Sequence, residues 1–66
     1  MRVRFDPQSD TLYIRLDEAE IVESEEVSPG IVLDFDAENR VVGFEMLDVG
    51  KRLPTAHLTQ MDFKVA

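Results

Sequence analysis

Sixty-six residues suffice for one domain, but a domain of that length buries only about 60% of the surface its unfolded chain exposes, so its core is marginal without a staple. The chain has no cysteine, which excludes disulfides and thiolate metal sites and leaves association as the usual route to added stability. Seven Lys and Arg against fourteen Asp and Glu give a net charge of -7; such a surface repels phosphate backbones and anionic membranes and attracts a basic protein. The expectation is therefore no nucleic-acid and no membrane partner. No apolar run reaches the roughly 20 residues of a membrane span, and Met1-Arg2-Val3-Arg4-Phe5-Asp6 lacks the apolar region of a signal peptide, so a cytoplasmic location is expected.

Arg2-Val3-Arg4-Phe5 alternates polar and apolar residues and predicts a short first strand. Asp6 to Asp10 predicts a turn, in which Pro7 fixes φ and Asp6 and Ser9 bond nearby amides. Thr11 to Leu16 predicts a second strand, with Leu12, Ile14 and Leu16 on one face and Tyr13 and Arg15 on the other. After the polar turn Asp17-Glu18-Ala19-Glu20, Ile21 to Val27 predicts a third strand. Glu20, Glu23, Glu25 and Glu26 lie in or beside it, which suits an edge, where charge blocks aggregation.

Pro29 to Leu47 predicts the central hairpin. Asp36-Ala37-Glu38-Asn39 has the composition of a type I turn closed by a left-handed residue, a role Asn39 can fill. Pairing Asp36 with Arg40 sets Phe35 against Val41, Asp34 against Val42, Leu33 against Gly43 and Val32 against Phe44. In that register one face carries Val32, Val42, Phe44 and Met46, with Phe44 buried. The other carries Ile31, Leu33, Phe35, Val41 and Leu47 with Glu45 and Gly43. Gly43 then gives room to Leu33 or to a close neighbour. A pair apolar on both sides needs two covers, most simply a helix on one and a second subunit or partner on the other. The expectation is a homodimer whose interface contains Ile31, Leu33, Phe35 and Val41.

Asp48 to Leu53 suits a short helical turn capped by Asp48 and ending in basic residues. Pro54 to Gln60 suits a short helix with Pro in its first turn, and Met61 to Val65 alternates as a final strand. The fold class is α+β. Residues 1–66 are expected to form a single compact domain, a small curved antiparallel sheet (a meander of five to six strands) with one or two short C-terminal helices on one face.

Three segments together resemble a small bacterial family catalogued as domain of unknown function 2283. They are Phe5-Asp6-Pro7-Gln8-Ser9-Asp10-Thr11-Leu12-Tyr13-Ile14, Gly30-Ile31-Val32-Leu33-Asp34-Phe35-Asp36 and Val42-Gly43-Phe44-Glu45-Met46-Leu47-Asp48. Asn39 stands where members of that family often carry Gly in the turn. The resemblance implies a compact α+β domain from a bacterium, with no established activity. Members of such families are often encoded beside small toxin-like proteins, which implies an antitoxin-like interaction role and supplies no catalytic residues.

Asp34, Asp36, Glu38 and Glu45 are spaced like carboxylate ligands of a calcium loop, but Asn39 stands where that loop needs Gly, and strands rather than helices flank it. The simpler account is an acidic, solvated hairpin tip with no metal. His57, the one histidine, has no nucleophile beside it in any recognisable motif and suits a surface position. Gly30, Gly43 and Gly50 are too scattered to cradle a phosphate. The leading reading is a non-enzymatic acidic protein-binding module without cofactor or catalytic residues. It would present Glu23, Glu25 and Glu26 to a small basic, toxin-like partner. The alternative is a small divalent-metal-dependent enzyme or ligand-binding domain using Asp34, Asp36 and Glu45.

Overall fold

A computed structural model describes residues 1–55 and 58–66. It contains β1 (Arg2–Asp6), β2 (Thr11–Arg15), β3 (Glu23–Ser28), β4 (Ile31–Phe35), β5 (Val41–Met46) and the single-turn helix α1 (Val49–Arg52). The strands form one curved, open antiparallel sheet in the order β1-β2-β5-β4-β3. A simple meander would have kept sequence order. Instead the β1–β2 hairpin and the β3-β4-β5 meander join through β5, which pairs with both β2 and β4. This places the apolar β5 at the centre and the glutamate-rich β3 at an edge, so the strand that is costliest to bury is the one left uncovered.

The segment from Leu16 to Val22 carries the chain from β2 to the edge strand β3 along one end of the sheet. The amides of Leu16 and Asp17 donate to the carbonyl of Val42 at 2.8 and 3.4 Å, and that of Val22 donates to the carbonyl of Phe35 at 2.9 Å. The Arg15 guanidinium fastens the segment from inside, donating to the carbonyl of Asp17 at 2.6 Å and to that of Ala19. Asp17 in turn accepts from the Ala19 amide at 2.8 Å.

The hairpin turn forms as its composition predicts: Asn39 has φ 61° and its amide donates to the carbonyl of Asp36 at 3.0 Å. Phe35 pairs with Val41, as expected. Beyond that pair, a β-bulge between Asp34 and Phe35 leaves Val42 as an extra residue, and the register becomes Asp34 with Gly43, Leu33 with Phe44, Val32 with Glu45 and Ile31 with Met46. A one-residue slip exchanges the faces of a strand, so the expected two-sided apolar hairpin is corrected to a one-sided sheet. Val3, Ile14, Phe44 and Leu33 make one row across the apolar face, and Phe5, Leu12, Met46 and Ile31 the next. The opposite face carries Arg4, Tyr13, Glu45 and Val32 in one row, and Arg15, Gly43, Asp34 and Ser24 in another.

Among the described residues, the only buried apolar side chains are Val42 and Val49, 3% and 0% exposed. Phe44, expected to be buried, is half-buried like Ile14, Leu33, Ile31 and Met46 around it. At the N-terminus of α1, Asp48 adopts φ 55° and makes no side-chain cap. The cap comes from the β1–β2 turn: Asp10 accepts from the Gly50 amide at 2.9 Å through its carboxylate and from the Val49 amide at 3.1 Å through its carbonyl. At the other end of α1, Arg52 donates to the carbonyl of Leu47 at 2.9 Å and to that of Pro29. A side chain at Gly30, which has φ 78°, would collide with that guanidinium. Of the expected Pro54–Gln60 helix, the described residues form turns only, and residues 56 and 57, with the histidine, lie outside the described part. Met61 to Val65 forms no strand, and its apolar residues Met61, Phe63 and Val65 are exposed. No helix among the described residues is long and apolar enough to cross a membrane.

Candidate functional site

Two surfaces carry the polar chemistry. The first is β3, an edge strand paired only with β4. All six of its residues are exposed, and its outward backbone groups have no ladder partner among the described residues. Alternation sends Glu23 and Glu25 to the apolar side of the sheet and Glu26 to the polar side. The three glutamates therefore straddle the edge rather than form a patch on one face. A β-bulge between Glu26 and Ser28 leaves the exposed Val27 unpaired and twists the end of this edge.

The second surface is the polar face, built on Asp34. Its carboxylate is only 8% exposed and is satisfied from both flanking directions: Ser24 Oγ on β3 donates to Oδ1 at 2.6 Å, and Tyr13 on β2 donates its hydroxyl to Oδ2 at 3.1 Å. Tyr13 reaches across β5 because Gly43 lies between them. A Cβ there would stand 2.5 Å from Asp34 Oδ2 and 3.1 Å from the Tyr13 hydroxyl. Gly43 thus gives room to a carboxylate and a phenol, and not to Leu33. Arg15 adds a long donation, 3.5 Å from Nη1 to the Tyr13 oxygen, and that contact, first among the influences on it, raises the guanidinium's pKa. The hydroxyls of Ser24 and Tyr13 are both committed to Asp34. The arrangement is a cross-strand tie, with no base placed to activate either hydroxyl among the described residues.

Asp34, Asp36 and Glu45 have separate surroundings. Asp36, 5% exposed, closes the hairpin turn. Its Oδ1 accepts the amides of Arg40 and Glu38 at 2.9 Å each, and its Oδ2 pairs with Arg40 Nε at 2.8 Å. Chiefly through the Arg40 amide, these donors hold its carboxyl below the usual range. Glu45 lies on the polar face opposite Tyr13 and Val32. Among the described residues no three His, Cys, Asp or Glu side chains are grouped to hold a metal ion. Glu45 instead joins Arg4, Asp6, Thr11 and Tyr13 around an open depression of about 470 Å³. Asp6 there is also held below the usual carboxylate range, chiefly by the Gln8 amide, which donates to it at 2.9 Å. Tyr13, Arg15 and Ser24 were not singled out as site residues from sequence. The signal available was Tyr13 and Arg15 recurring on the polar face of the second strand.

Residues 2–49 match the family model described as Protein of unknown function (DUF2283), and the chain belongs to that family. The match covers all five strands and stops at the start of α1. No curated protein and no solved structure matches the chain.

Proposed function

We propose that this family member is an acidic protein-binding module that captures a basic segment of a partner by strand addition along β3. The observation that carries the reading is that an exposed six-residue edge bears Glu23, Glu25 and Glu26. Backbone pairing supplies register-independent affinity, and the glutamates select a basic strand and speed its approach. A small basic, toxin-like protein in the bacterial cytoplasm is the partner this chemistry fits, and occupying its basic strand is an antitoxin-like, non-catalytic role. The carboxylate reading gains nothing comparable, because Asp34 and Asp36 are already engaged by Ser24, Tyr13 and Arg40.

The test is titration with a fluorescent peptide of alternating Lys and Val at two salt concentrations. Binding should weaken as salt rises, and the triple variant Glu23→Lys, Glu25→Lys, Glu26→Lys should bind at least tenfold more weakly while melting cooperatively. Equal binding by parent and triple variant would remove β3 as the site.

A further inference from the structure

We propose that the polar face of the sheet binds a small zwitterion, a carboxylate and an ammonium at the two ends of a short methylene chain, laid across the ring of Tyr13. A lysine at the free C-terminus of a protein chain and a free ω-amino acid share this chemistry. The site lies on β1, β2 and β5 and is independent of peptide capture by β3, the edge strand at the other side of the sheet.

The row Arg4–Tyr13–Glu45 crosses three neighbouring strands on this face. Because adjacent strands lie about 4.8 Å apart, the backbones of Arg4 and Glu45 are about 10 Å apart with the phenol between them. Among the described residues, neither the guanidinium of Arg4 nor the carboxylate of Glu45 takes part in an ion pair or a side-chain hydrogen bond. Glu45 is half-buried, and a partly desolvated carboxylate is costly until a cation reaches it. Tyr13, also half-buried, has its hydroxyl bonded to Asp34, which fixes the ring between the two charges.

Two open depressions meet at this row and share Arg4 and Tyr13. The one of about 590 Å³ sets Arg2 and Arg15 beside Arg4, and the one of about 470 Å³ sets Asp6 beside Glu45. One side of the ring is therefore cationic and the other acidic. Arg15 is fixed by the carbonyls of Asp17 and Ala19 and pairs with no carboxylate among the described residues, so its charge stays available at a constant position. Arg2 is held by Glu18 at 2.9 Å in an exposed pair, a kind that contributes little and gives way to a competing carboxylate. Arg4 then offers the planar fork that a carboxylate matches with two hydrogen bonds, Glu45 and Asp6 receive the ammonium, and the methylenes lie on the ring. Those two carboxylates, in a chain of net charge -7, repel any second negative charge, so a zwitterion fits this site and a polyanion does not.

Tyr13 is the one tyrosine of a chain without tryptophan, so tyrosine emission reports on this site alone. Titration with ε-aminocaproate, followed by that emission and by the amide shifts of Arg4, Tyr13 and Glu45, should saturate. Caproate and hexylamine, each lacking one of the two charges, should bind about tenfold more weakly, as the loss of one charge-assisted hydrogen bond implies. Glu45→Gln should remove the preference for ε-aminocaproate over caproate and Arg4→Gln that over hexylamine, while both variants melt as the parent does. Displacement of ε-aminocaproate by an acetylated peptide ending in lysine with a free carboxylate, and not by the amidated peptide, would assign the site to a chain end. Displacement by neither would assign it to a free ω-amino acid. No saturable change in emission or shifts, or equal binding of the three small compounds, would overturn the proposal. So would non-additive losses of stability in Arg4→Gln, Glu45→Gln and the double variant, because the two side chains would then pair with each other across Tyr13. The triple lysine variant of β3 should bind ε-aminocaproate as the parent does, so failure of this site leaves peptide capture by β3 standing.

Discussion

The hydroxyl of Tyr13 on β2 and the carboxylate of Asp34 on β4 meet at 3.1 Å above β5, over its side-chain-free residue Gly43. With Ser24 on the far side of Asp34, this single carboxylate ties β2, β4 and β3 together across β5 on the polar face. Gly43→Ala should therefore destabilise the chain by about 1–3 kcal/mol, the usual range for forcing a methyl into filled space, despite the entropy that replacing a strand glycine recovers. Chemical denaturation measures it, and a variant as stable as the parent would show that the tie can move aside at no cost.

Acid should loosen the hairpin turn as the Asp36 carboxylate is protonated. Asp36 and Asp6 both hold their carboxyls below the ordinary aspartate value of 3.8, so as the pH falls the unfolded chain takes up protons first. Their contribution is complete above that value and is lost as the pH drops through the lower folded-state values. Asp36→Asn should thus lower Tm at pH 7 and flatten its decline between pH 4 and pH 2. An acid limb as steep as the parent's would contradict the depressed carboxyl.

Asp10, and not the adjacent Asp48, caps α1 across 40 residues of sequence. Asp10→Ala should cost about 1 kcal/mol, the usual value of a helix N-cap, and should raise amide exchange at Val49 and Gly50. Asp48→Asn should leave those exchange rates unchanged, since the Asp48 side chain makes no cap and Asn accepts the same left-handed backbone. The reverse pattern would show that the local aspartate governs the turn.

At Asn39, φ of 61° predicts that Gly is accepted without loss, while Val costs about 1–2 kcal/mol because its β-branched side chain crowds the left-handed conformation. Thermal melts of the two variants beside the parent check this. Equal melting for all three would remove the left-handed turn.

The sequence by itself determined most of the local elements: the first five strands, though not the expected sixth over Met61 to Val65, the Asp36–Asn39 turn with its left-handed Asn39, the short basic-ended helix after Leu47 and the acidic character of the third strand. Each follows from alternation, turn chemistry or charge within a few residues. The register of β4 on β5 was not legible, because Val41-Val42-Gly43 suits a bulged ladder as well as a regular one, and only the space needed by Asp34 and Tyr13 favours placing Gly43 between them. That one-residue slip moved Phe44 and Met46 onto the face of Ile31 and Leu33 and gathered Glu45, Asp34 and Gly43 opposite. The same limit hid the pairing of β2 with β5 and the capping of α1 by Asp10. Both depend on which distant segments meet, and no pattern of period two or 3.6 encodes a contact between residues 40 positions apart.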